Sequence, residues 1–112
     1  MSMRIASLVG FLLLGGSVLV EAQPAADDGA AEALMKKSGC FKCHSVSAKK
    51  DGPSYKSVAE KNKGKADAEQ KLYTHLTTNP KVKVDGQEER HDSLKTKDDA
   101  EIKNVIRYIL SR

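Results

Sequence analysis

The sequence predicts an all-α domain of about four short helices, on three observations. Apolar residues recur at helical spacing in separate stretches, most opened by a capping side chain and closed by glycine or Asn-Pro. No alternating run is long enough for a sheet of consequence. The third observation is a shortage. Beyond the N-terminal segment the aromatic residues are Phe41, Tyr55, Tyr73 and Tyr108, with no tryptophan, and a domain this small is marginal at burying its own core. The run Cys40-Phe41-Lys42-Cys43-His44 answers that shortage. C-x-x-C-H is the attachment pattern of a c-type haem, and a covalently held porphyrin would supply the missing flat apolar element.

Taken in order, the chain opens with a targeting segment, residues 1–22. Arg4 supplies the positive end, Leu8 to Val20 the apolar stretch, and Val20-Glu21-Ala22 a small-residue cleavage site. The run is too short and too broken by Gly15 and Gly16 for a comfortable membrane span, so no stable anchor is expected. Residues 23–27 are a linker and 28–112 the folded domain. Asp28 is expected to cap a first helix through Lys37, with Ala31, Leu34 and Met35 on one face. Gly39 leads into the pentad, and Gly52-Pro53 closes the loop after it. Ser54 caps a second helix through Asn62, stopped by Gly64.

Asp67 caps a third helix through Thr77, with Leu72, Tyr73 and Leu76 as its apolar stripe and His75 turned outward. Asn79-Pro80 ends it. A charged loop from Pro80 to Thr96 follows, holding Asp85-Gly86 as a turn and Val82 and Val84 in a brief extended piece. Asp98 or Asp99 caps the last helix, whose face is Ile102, Val105, Ile106, Ile109 and Leu110, with Lys103, Asn104 and Arg107 toward water.

The chemistry rests on the pentad. The thiols of Cys40 and Cys43 would form thioethers with the two porphyrin vinyl groups, and His44 would supply the proximal nitrogen to iron. These are the only two cysteines, so one haem consumes them both. A thioredoxin-like pair would expect a βαβ context. A zinc site would need further ligands at metal spacing, and only His75 and His91 remain. The formal charge is +4. Lysines crowd residues 36–65, which reads either as a basic surface steering acidic redox partners to the haem edge or as a solvated helical face. Export and the absence of any recognisable motif argue against nucleic acid.

The order of leader, helix, C-x-x-C-H, Gly-Pro, two short helices, long loop and terminal amphipathic helix resembles the small class I bacterial cytochromes c. The likeness covers about residues 28–112 and is carried by the pentad, by Asp51-Gly52-Pro53-Ser54-Tyr55, and by Thr96-Lys97-Asp98-Asp99-Ala100 with Tyr108-Ile109-Leu110-Ser111. It implies a cytochrome c-like fold, one covalent haem c held by Cys40, Cys43 and His44, and a periplasmic single-electron carrier with no catalytic residues. It also implies that the Pro53 carbonyl accepts the other N–H of the His44 ring and that Tyr108 packs on the first helix. The departure lies on the distal side. The family's sixth ligand is a methionine shortly before the last helix, whereas this chain has Met only at 1, 3 and 35. The methionine position falls on His91, which implies two histidine ligands, His44 and His91, and a lowered potential. An open sixth site, or a lysine ligand from Lys81, Lys83 or Lys95, is the alternative. The rival functions are a haem protein whose displaceable sixth ligand lets it bind a gas or peroxide, and an electron-transfer subunit of a larger oxidoreductase.

Overall fold

The computed structural model describes residues 14–17 and 24–112. The leader expected over residues 1–22 lies outside the described residues, apart from 14–17. Four helices and one small hairpin make up the rest: α1 (Asp28–Lys37), α2 (Tyr55–Asn62), α3 (Ala68–Thr77), β1 (Lys81–Val84), β2 (Gln87–Arg90) and α4 (Asp99–Leu110), with a single 3-10 turn at Cys40–Lys42. The helix order matches the expected all-α arrangement, with the hairpin added. Among the described residues no helix is long and apolar enough to cross a membrane.

α4 organises the core. Its apolar residues Ile102, Val105, Ile106 and Ile109 are all buried, and α1, α2 and α3 each pack against it. Asp98 starts it, accepting hydrogen bonds from the backbone N–H of Ala100 (2.9 Å) and Glu101 (3.2 Å). α1 crosses α4 at Tyr108, which is 1% exposed and whose hydroxyl donates to Glu32 (3.0 Å). Asn104, expected to face water, instead ties the two helices together. Its Oδ1 accepts from the Asp27 N–H and its Nδ2 donates to the Asp27 carbonyl, both at 2.9 Å. The cap of α1 is likewise Asp27 rather than Asp28, through the Ala30 N–H (3.1 Å). The carboxylate of Asp28 is left to meet Arg112 at 3.0 Å, while that guanidinium lies 4.1 Å over the Tyr108 ring.

Ser54 caps α2 as its position suggests, accepting from Ser57 N–H at 3.1 Å. Asp67 precedes α3 without making a side-chain cap and forms an exposed ion pair with Lys71 instead.

The loop after α3 is more ordered than the sequence suggests. Val82 and Val84 belong to a two-stranded antiparallel hairpin in which Lys81 pairs with Arg90 and Val84 with Gln87. Asp85 (φ 51) and Gly86 (φ 78) make its turn. Two successive left-handed residues match the twist of tightly paired strands, and Asp-Gly is a favoured pair for them.

Candidate functional site

A cavity of about 490 Å3 opens between α1, α3, α4, the loop after the 3-10 turn and the hairpin. Its wall is largely apolar, with Met35, Leu72, Leu76, Val82, Val84, Val105 and Ile109, and it also contains Cys40, Cys43, His44, Pro53 and His91. Met35, on α1, is fully buried in the core. Along β1 Val82 and Val84 are half-buried and border the cavity, Lys81 is exposed, and Lys83 is exposed at the cavity's edge.

The 3-10 turn sets one side of the cavity. Gly39, at φ 78, starts the turn, and the His44 N–H donates to the Cys40 carbonyl (3.0 Å). Cys40 is half-buried, Cys43 is exposed and both are free thiols. Burial pushes the Cys40 thiol above its ordinary pKa. The Nδ1 of His44 lies 2.7 Å from the Pro53 carbonyl oxygen. A carbonyl can only accept, so Nδ1 carries the proton and Nε2 is left free to bind a metal. The ring stacks on Tyr55 at 5.3 Å and 24°.

Gly52 completes this side. A Cβ added there would lie 2.7 Å from His44 Nδ1, closer than real Cβ contacts, and 3.0 Å from Nε2. Its φ is not left-handed, so glycine is needed here for space rather than for backbone conformation.

The opposite side is reached from the end of β2. His91 enters the cavity with its ring centroid 6.1 Å from that of His44, tilted by 51°. Two imidazoles on opposite sides of one metal ion have centroids about 6 Å apart, given a metal–nitrogen distance near 2.0 Å and a ring nitrogen about 1.1 Å from its centroid. The free thiols, the apolar wall and this ring spacing together fit a covalently attached haem c. Burial holds the pKa of His91 below the usual histidine value, with the Asp92 backbone beside the ring working the other way. Neutral imidazole is the form that ligates.

His75 corrects the sequence reading. It does not face outward but lines the cavity, half-buried, 4.2 Å from His91 between ring centroids. Burial first, then His91 and His44, lower its pKa. The helical register contained the signal: position 75 stands at i+3 from Leu72, on the apolar stripe itself. Sequence reasoning also missed the close approach of Gly52 to His44. No local pattern reveals it, because the contact is tertiary.

The model of the family described as Cytochrome c matches residues 29–112. Over 70 residues the chain is 46% identical to cytochrome c-551 of Stutzerimonas stutzeri, covering 62% of this chain and 64% of that one. The match therefore spans less than two thirds of that relative's own length. The crystal structure of class 1 cytochrome MtoD from Sideroxydans lithotrophicus ES-1 superposes with a TM-score of 0.74 at 52% identity, covering 78% of this chain and 97% of that one. Wild-type cytochrome c552 of Nitrosomonas europaea gives 0.56 at 28% identity, covering 71% and 96%.

Proposed function

The chain belongs to the cytochrome c family, and from that premise we propose that it is an exported, periplasmic single-electron carrier whose haem is held between two histidines, His44 and His91. The observation that carries this reading is the pair of imidazoles with ring centroids 6.1 Å apart, both bordering the cavity that contains both cysteines.

Cys40 and Cys43 would hold the haem by thioethers, and His44 and His91 would hold its iron. The bound group supplies one-electron chemistry, with the iron cycling between two oxidation states. The protein keeps both ligands in place through that cycle. The Pro53 carbonyl fixes the His44 ring and strengthens it as a donor. Leu72, Leu76, Val82, Val84, Val105 and Ile109 keep water from the site. Methionine paired with histidine raises the potential of such a centre. Histidine at position 91 would lower it, suiting the carrier to a lower-potential step. No protein acid, base or nucleophile is required.

Lys36, Lys37, Lys42, Lys49 and Lys50 are exposed around the 3-10 turn, where Cys43 is also exposed. They would steer an acidic redox partner toward the haem edge. The anchoring of the two rings supports a second reading, in which His91 is displaceable by a small ligand. The His44 ring has its carbonyl partner, whereas Nδ1 of His91 is buried and makes no hydrogen bond. The test is the reduction potential of the holoprotein beside that of His91→Met. The substitution should raise the potential, and an unchanged or lower value would overturn the assignment of His91.

A further inference from the structure

Nδ1 of the His91 ring makes no hydrogen bond, and the residue is held through its backbone. Its N–H donates to the Pro80 carbonyl at 2.8 Å. Its own carbonyl accepts from Nδ2 of Asn79 at 2.9 Å. The neighbouring Arg90 donates through Nη1 to the Asn79 carbonyl at 3.2 Å. These three bonds close the open end of the hairpin, opposite the Asp85-Gly86 turn. Downstream the chain is tied separately, by Leu94 N–H to the Leu76 carbonyl (3.0 Å) and by Lys95 N–H to Ser38 Oγ (2.9 Å). The Asn79–Pro80 clamp is thus the upstream hold on the residue that presents the distal imidazole.

Position 79 makes two demands at once. Its φ is 48, in the left-handed region that asparagine enters at less cost than most residues. It also needs a short side chain with an N–H donor, which glycine and aspartate lack. The residue that breaks α3 is therefore also fitted to hold His91.

We infer that Asn79 is a positioning residue for His91, fixing the backbone from which the distal ring reaches the iron. The inference rests on the reading of His91 as sixth ligand. It also gives the second reading above a physical handle: how readily a small ligand displaces His91 depends on this clamp.

The test is cyanide titration of the ferric holoprotein. Asn79→Gly keeps the left-handed backbone available and removes the amide. It should bind cyanide about fivefold more tightly than the unmodified protein, the factor that one net hydrogen bond carries. Asn104→Ala is the control: it removes two hydrogen bonds to Asp27, on the α1–α4 side of the molecule. It should lower the melting temperature and leave cyanide affinity unchanged. Unchanged affinity in Asn79→Gly, or an equal rise in Asn104→Ala, overturns the inference. His91→Ala separates the two levels. If it opens the iron to cyanide while Asn79→Gly does not, only the role of Asn79 fails. If it leaves the iron low-spin and closed, His91 is not the ligand and both readings fail.

Discussion

Gly52→Ala is expected to destabilise the holoprotein by roughly 1.5–4.5 kcal/mol and to disturb its haem spectrum, the sum of an overpacking cost and a lost hydrogen bond. The added Cβ would sit 2.7 Å from Nδ1 and 3.0 Å from Nε2 of His44, so the ring must move. It has little freedom to do so. The Pro53 carbonyl holds it at 2.7 Å on one side, and Tyr55 stacks on it at 5.3 Å. Overpacking of this kind costs about 1–3 kcal/mol. Loss of the bond to Pro53 adds about 0.5–1.5 kcal/mol. That is a large part of the roughly 5–15 kcal/mol that keeps a domain folded. Gly64→Ala is the matched control. Gly64 has φ 73 and nothing within 4 Å of an added Cβ, so it would suffer backbone strain alone, about 1–2 kcal/mol. Urea denaturation at pH 7, followed by circular dichroism and haem absorbance, measures both. The reasoning is refuted if Gly52→Ala lies within about 0.5 kcal/mol of the unmodified protein with an unaltered spectrum, or if Gly64→Ala alters the spectrum as much.

Replacing Cys40 and Cys43 together by Ala should leave a chain with little helical ellipticity, because the core is built around the haem; a cooperatively melting variant would contradict this. Asn104→Ala should cost about 1–2 kcal/mol by denaturation, since it removes two hydrogen bonds between α4 and the start of α1. Alkaline pH should destabilise the fold. The pKa of Tyr108 is raised by burial and then by its bond to Glu32, and that of Tyr55 by burial and then by Cys40. Both phenols stay protonated in the folded state and ionise near pH 10 once unfolded. Stability is therefore full below about pH 10 and falls as pH rises above it. Tyr108→Phe should flatten that fall, and identical slopes for the two proteins would show that the phenol is not responsible.

The helices were legible because their signals are local. Ser54 and Asp98 precede periodic apolar residues and do cap α2 and α4, and the stripe Ile102, Val105, Ile106 and Ile109 is buried as its spacing implies. The hairpin was half legible. Val82, Val84 and Asp85-Gly86 give one strand and its turn, but Gln87–Arg90 is exposed throughout and has no apolar side to betray a strand. Cys40, Cys43, His44, Pro53 and His91 could be named in advance, and all five border the cavity. The remainder depends on approaches between distant segments. His75 is the exception: its spacing from Leu72 is a local signal for the cavity face, and its polar ring reads as an outward residue. Asn79 reads in sequence only as a helix breaker, and its grip on His91 exists only once the hairpin brings residue 91 back to it.

The most direct test is electron paramagnetic resonance of the ferric His91→Ala holoprotein beside unmodified protein and His75→Ala. Two opposed imidazoles predict a low-spin signal in the unmodified protein, its retention in His75→Ala and its replacement by a high-spin signal in His91→Ala. A low-spin His91→Ala spectrum with a high-spin His75→Ala spectrum would place the distal ligand on α3 and contradict the account.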